Sequence, residues 1–94
     1  MNFKFEWDEE KANANLQKHR VSFDEATTIF SDRFSITVFD PDHSPSEERY
    51  IHIGSSDRGR LLVVVYTERG LSIRIISCRK ATARERVIYE EGIK

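Results

Sequence analysis

The sequence predicts an α+β fold: an N-terminal strand and two helices, then a four-stranded antiparallel meander and a C-terminal helix. Three observations carry this expectation. Apolar residues recur at helical spacing up to the "SD" at residues 31–32 and again after residue 81, and alternate with polar ones between those points. Short Gly-containing turns separate the later alternating stretches, which joins antiparallel neighbours. A chain of 94 residues holds one packed core and is too short for a second, so residues 1–94 are expected to form a single domain.

"FKFEW" alternates apolar and polar side chains and reads as a short half-buried strand. Asp8 opens a helix, with Glu9 and Glu10 in the first turn where the dipole favours acids. Ala12, Leu16 and His19 share one face of that helix, which is expected to pack on the sheet. "SFDE" has the spacing of a capping box, Ser22 accepting a backbone N–H and Glu25 reaching back. Phe23, Ala26, Thr27 and Phe30 then form the stripe of a second short helix. "RFSITVF" reads as a strand, and "DPDHSPSE", which holds both prolines, as a loop. "RYIHIG" alternates again, and "LLVVVY" is a run suited to a central strand covered on both faces. "SSDRGR" and "TERG" are the turns on either side of it, and "LSIRIISC" is the last strand. A final helix starts near "ATARE", where Thr82 and Glu85 repeat the capping-box spacing, and Gly92 is available to stop it.

Charge is distributed unevenly. Residues 1–47 hold five Lys/Arg against ten Asp/Glu, whereas residues 48–94 hold ten against six. Arg69, Arg74, Arg79, Lys80, Arg84 and Arg86 cluster with Glu85 as their one acid. Such a cluster is the footprint of a phosphate-bearing partner, although a solvated face or a patch for an acidic protein has the same composition. The N-terminal stretch lacks the apolar segment of a signal peptide, and no run reaches the roughly 20 apolar residues that span a bilayer. A soluble, cytoplasmic protein with no membrane partner is the expectation. Cys78 is the one cysteine, and the histidines (His19, His43 and His52) show no metal-ligand spacing, so no metal is expected.

Five blocks in order resemble the BrnT toxin family: "FEWDEEKANANLQKH" followed by "VSFDEA", then "EERYI-IG", "GRLLVVVYTERG" and "IRIIS-RKAT--ER--YEE". The resemblance covers Phe5 to about Glu91. It implies a small fold similar to RelE-type toxins and a ribonuclease activity, without metal or cofactor, that inhibits translation. It also implies a cognate BrnA-like antitoxin with a ribbon-helix-helix part, operator DNA being contacted only through the complex. Two positions depart from the family pattern. Arg20 stands where the family has the glycine that suits a left-handed helix end, and Cys78 replaces a small alanine-like residue.

Metal-free RNA cleavage requires the 2′-hydroxyl to lose a proton, the phosphate to be held as its charge grows, and the 5′-oxygen to be protonated. Guanidinium groups suit the second task because they stay charged and hold a phosphate through two hydrogen bonds. In a regular strand Arg74 lies on the face opposite Ile73 and Ile75, with Arg79 and Lys80 at the strand end beside the last helix. Arg74 and Arg79 are therefore the expected catalytic cations. Glu48 and Tyr66 are the expected proton-transfer groups, with Glu48, Tyr50 and His52 on one strand face and Arg49 on the other. Glu85 is an alternative already explained by its capping position. Lys18, His19, Arg49, Arg69 and Lys80 are expected to bind RNA, and His19 fits a helix-end role equally well. The competing readings are an inactive antitoxin-binding partner acting in autorepression, and a DNA-binding module, for which no base-reading helix is evident.

Overall fold

The computed structural model describes residues 4–40 and 48–93. Its elements are β1 (Lys4–Glu6), α1 (Glu9–His19), α2 (Phe23–Thr28), a single 3-10 turn (Ile29–Ser31), β2 (Ile36–Asp40), β3 (Arg49–Ser55), β4 (Leu61–Arg69), β5 (Ser72–Lys80) and α3 (Ala83–Ile93). This is the α+β order that the hydrophobic periods imply. The greater part of the expected proline loop, His43 included, lies outside the described residues.

The helix starts are set locally. The Asp8 carboxylate accepts from the backbone N–H groups of Glu10 (2.8 Å) and Lys11 (3.2 Å), and the Ser22 hydroxyl accepts from Glu25 N–H (3.0 Å). α1 ends on Arg20 in the left-handed region (φ 60°), its N–H donating to Leu16 O at 2.9 Å. The helix thus closes as a glycine would close it, at a strain cost of about 1 kcal/mol for a residue with a Cβ. Gly59 (φ 75°) and Gly70 (φ 58°) occupy the turns on either side of β4, where the backbone needs a positive φ.

The sheet order is β1-β5-β4-β3-β2. β2 to β5 form the antiparallel meander, and β1 pairs in parallel with β5 through Lys4↔Ser72, Phe5↔Ile73 and Glu6↔Arg74. α1, α2 and the 3-10 turn cover one face, burying Val21, Phe23, Ala26 and Ile29 against Leu62, Val64, Tyr66, Ile73, Ile75 and Cys78. Each such aliphatic or aromatic side chain contributes about 1.5–3 kcal/mol on full burial. α3 crosses one end of the other face, where Tyr89 packs with Ile53, Leu61 and Val63. Tyr89 also donates from Oη to Asp32 Oδ2 at 2.5 Å.

Two local expectations are corrected. On α1 the buried residue is Asn15, whereas Leu16 is 46% exposed. α1 lies beside the stretch of β5 beyond its pairing with β1, and Asn15 supplies hydrogen bonds that an edge strand otherwise lacks. Its Nδ2 donates to Cys78 O (2.8 Å) and Val21 O (3.0 Å), and its Oδ1 accepts from Cys78 N–H (3.1 Å). Buried polar backbone needs such partners more than the sheet needs another leucine. Glu25 does not close the first capping box. Its carboxylate turns inward to Arg60 and to the Ser56 hydroxyl (2.7 Å), forming an ion pair whose acid is 4% exposed.

Candidate functional site

Register sorts the sheet residues onto two faces, because side chains alternate along a strand and directly opposed partners point the same way. Tyr50, His52, Val64, Tyr66, Ile75 and Cys78 lie on the face covered by α1 and α2. Arg49, Thr67 and Arg74 lie on the other. Thr67 pairs with Arg74, and Arg74 with Glu6. The β3–β4 register, carried one residue beyond Tyr50↔Tyr66, sets Arg49 beside Thr67. Arg49, Thr67, Arg74 and Glu6 thus form a row across four adjacent strands, at the end of this face away from α3. Arg74 Nη1 is 4.0 Å from Glu6 Oε1, with side chains 30% and 42% exposed, so the guanidinium is loosely held. Arg69, two residues beyond Thr67 on β4, projects on the same side.

A bulge changes which arginines belong together. Val65 pairs with Ser77 but Tyr66 with Ile75, so Ile76 is an extra residue in β5. In a regular strand Arg74 and Arg79, an odd number of residues apart, would point to opposite faces. The extra residue resets the alternation and turns Arg79 to the face of Arg74, while placing Cys78 in the core with Ile75. At about 3.3 Å per residue the two arginines remain roughly 16 Å apart along the strand, so the basic cluster is spread along β5 rather than gathered at its end.

Arg79 is tightly occupied. Its Nη1 and Nη2 donate to the two oxygens of Glu85 at 2.7 and 2.8 Å. Glu85 also completes the second capping box, accepting from Thr82 N–H (2.8 Å) while its own N–H donates to Thr82 Oγ1 (3.2 Å). The Arg79 guanidinium holds the Glu85 carboxyl down at about 2. In solution that group contributes stability above about pH 4.5, lost as pH falls toward 2. With Arg79 42% exposed, screening reduces the contribution to about 1 kcal/mol.

The expected proton-transfer pair stands apart from these arginines. Glu48 accepts from Tyr50 Oη at 3.3 Å, and so points to the helix-covered face. Tyr66 is 7% exposed in an aromatic layer there, stacked on Tyr50 (5.5 Å between centroids) and edge-on to Phe30 (5.1 Å). Burial raises its phenol. Partial burial and the nearby Glu48 and Glu68 carboxylates raise that of Tyr50. The sheet itself separates Glu48 and Tyr66 from Arg49 and Arg74. His52 stacks on Phe30 at 4.5 Å, with Nδ1 2.6 Å from Thr37 Oγ1, and burial lowers its pKa below 6.5. A buried neutral imidazole stabilises the fold above about pH 6.5 and ceases to do so as pH falls. Urea midpoints measured from pH 7.5 down to 3 are therefore expected to decline in two stages, His52 first and the carboxylates Glu25, Asp32 and Glu85 later. A His52→Phe variant is expected to lose the first stage only, and an unchanged first stage in that variant contradicts the assignment.

Lys18 and His19 line a groove of about 250 Å³ with Lys11, Asn15, Ile76 and Ser77, along the edge of β5. Lys80 is exposed at the end of β5, where alternation turns it toward the helix-covered face. Cys78 is fully buried and its thiol is pushed up to about 12 by burial, so it is a core residue. Sequence reasoning passed over Glu6 and Thr67, which join the arginine row only through pairings distant in sequence. The signal available for Thr67 was its place as the first polar residue after the apolar run of β4. Among the described residues no group of three or more His, Cys, Asp or Glu side chains converges as a metal site requires.

Residues 7–85 match the model of a family described as ribonuclease toxin, BrnT, of type II toxin-antitoxin system. Among solved structures, the 1.1 Å crystal structure of the Brucella abortus ribonuclease toxin BrnT is similar in fold, with a TM-score of 0.63 and 24% sequence identity over 86% of this chain and 99% of that one. No curated protein matches the sequence.

Proposed function

Because the chain belongs to the BrnT family of ribonuclease toxins of type II toxin-antitoxin systems, we propose that it cuts RNA without a metal ion, through the face that carries Arg49 and Arg74, and so inhibits translation in the cytoplasm. The observation that carries this reading is the cross-strand row of Arg49, Thr67, Arg74 and Glu6. Two guanidinium groups on one side of a sheet supply the positive field that a phosphodiester needs as charge develops on it. The 2′-oxygen attacks phosphorus and the bond to the 5′-oxygen breaks, leaving a 2′,3′-cyclic phosphate. Glu6, the carboxylate beside Arg74 on this face, takes the 2′ proton, and the departing oxygen is protonated from solvent. Arg79, fixed by Glu85, anchors α3 and extends the positive surface, while Arg69 on the same face and Lys18 and His19 at the β5 edge contact flanking phosphates; Lys80, turned to the helix-covered face, lies off this path. Glu48 and Tyr66 belong in this reading to the aromatic layer of the opposite face.

A BrnA-like antitoxin with a ribbon-helix-helix part neutralises the protein by covering the arginine face with an acidic segment, and operator DNA is bound only through that complex. No described helix is long and apolar enough to cross a membrane. The test is incubation of the purified protein with a long RNA in excess chelator, followed by analysis of the product ends. Cutting that leaves cyclic or 3′-phosphates and 5′-hydroxyls is expected. Cutting that requires added metal, or leaves 5′-phosphates, overturns the mechanism. No cutting even with ribosomes present favours an inactive antitoxin-binding partner.

A further inference from the structure

We propose that Thr67 is the floor of a binding site for one phosphate of the RNA backbone, donating a hydrogen bond from Oγ1 to a non-bridging oxygen while Arg49 and Arg74 grip the same group from either side; this rests on the ribonuclease reading of the arginine face. Thr67 is 2% exposed, and its hydroxyl has no hydrogen-bond partner among the described residues. Its near neighbours on that face are Arg74 on β5, Arg49 on β3, and Val65 and Arg69 on β4.

A buried hydroxyl left unpaired is costly, and the same strand fills its other buried positions with Leu61, Leu62, Val63, Val64 and Tyr66. Valine has the shape of threonine and would remove the cost. Threonine here retains an unused donor between two strand positions that carry arginine, where the positive field attracts an anion with acceptor oxygens on several sides. His52 Nε2 is also buried and unpartnered, but it lies in the aromatic layer of the other face, stacked on Phe30, with no arginine row beside it. In the free protein Thr67 is buried at a strand position flanked by the half-buried Arg49 and Arg74. As their guanidinium groups swing onto a phosphate, they uncover Oγ1.

The probe is a 2′-O-methyl oligoribonucleotide, which cannot be cut, with binding followed by fluorescence anisotropy across a salt series. Thr67→Val is expected to weaken binding roughly tenfold without loss of thermal stability. Thr67→Ser, which keeps the hydroxyl, is expected to bind within about twofold of wild type. Because Thr67 is uncharged, Thr67→Val leaves the salt slope unchanged, whereas Arg74→Ala lowers it by about one counterion. Should the valine variant fail to fold, the serine variant and Thr67→Ala carry the comparison. Binding and cutting by Thr67→Val equal to wild type overturn the phosphate site and leave the ribonuclease intact. A wild type that cuts no RNA but loses oligonucleotide binding through Thr67→Val overturns the ribonuclease reading and leaves the phosphate site standing.

Discussion

Replacing Arg74 with alanine is expected to lower the rate of RNA cutting by about 10²–10³-fold, the usual loss when one preorganised charge-stabilising donor is removed from an active site. The fold is expected to survive the change. Arg74 pairs with Glu6 at 4.0 Å, and a pair that open contributes under about 1 kcal/mol. Arg74→Lys keeps the charge but loses the two-pronged grip, so it is expected to restore part of the rate and less of the binding. Single-turnover cutting alongside thermal unfolding separates these effects. An alanine variant that unfolds early would place Arg74 in the scaffold, and one that cuts at the wild-type rate would remove it from the site.

Arg60→Ala is expected to produce the largest loss of stability, about 3 kcal/mol, or roughly 12–24 °C in Tm for a domain of this size. Arg60 Nε donates to Glu25 Oε2 at 2.9 Å and its Nη2 donates to the other carboxylate oxygen, while Nη2 also reaches Arg20 O at 3.2 Å. The Glu25 side chain is 4% exposed, so removal of the cation strands a carboxylate under α2. In the wild type the Arg60 hydrogen bond holds the Glu25 pKa below 4.5, so the pair stabilises the fold above that pH and ceases to do so as pH falls. In Arg60→Ala burial instead raises that pKa, the folded state binds the extra proton, and the deficit is greater at pH 8 than at pH 5. Urea unfolding at both values checks the sign. Adding Glu25→Gln to Arg60→Ala is expected to recover part of the loss, because it removes the stranded charge. A deficit that is equal at the two pH values contradicts this account.

The order of elements was legible because it is written locally. Asp8, Ser22 and Thr82 begin the helices by side-chain capping, and Gly59 and Gly70 supply the turn conformations around β4. The family was legible from five ordered blocks, and the match over residues 7–85 agrees with that reading. The assembly of the site was much less legible, for a physical reason. Period-two reasoning holds until a bulge, and Ile76 inserts one between Arg74 and Arg79, which reverses the expected side of every later residue on β5. Glu6 reaches the arginine row only because β1 joins the far edge of the sheet beside β5, a pairing between distant residues. Asn15 looked like the solvent side of an amphipathic helix, yet it completes the hydrogen bonds of a strand edge formed 63 residues later. Glu25 had the spacing of a cap, and the burial of Ser56 and Arg60 beside it decided otherwise.

The central claim is that RNA phosphate binds the face of the sheet that bears Arg49, Thr67 and Arg74. The most direct measurement is NMR mapping of the wild-type protein titrated with the 2′-O-methyl oligoribonucleotide, following backbone amides and arginine Nε–H signals. The account predicts that the largest shifts fall on Glu6, Arg49, Val65, Thr67 and Arg74, with Tyr50, His52 and Tyr66 little changed. Shifts centred on Glu48, Tyr50 and Tyr66 would place the substrate on the opposite face and contradict it.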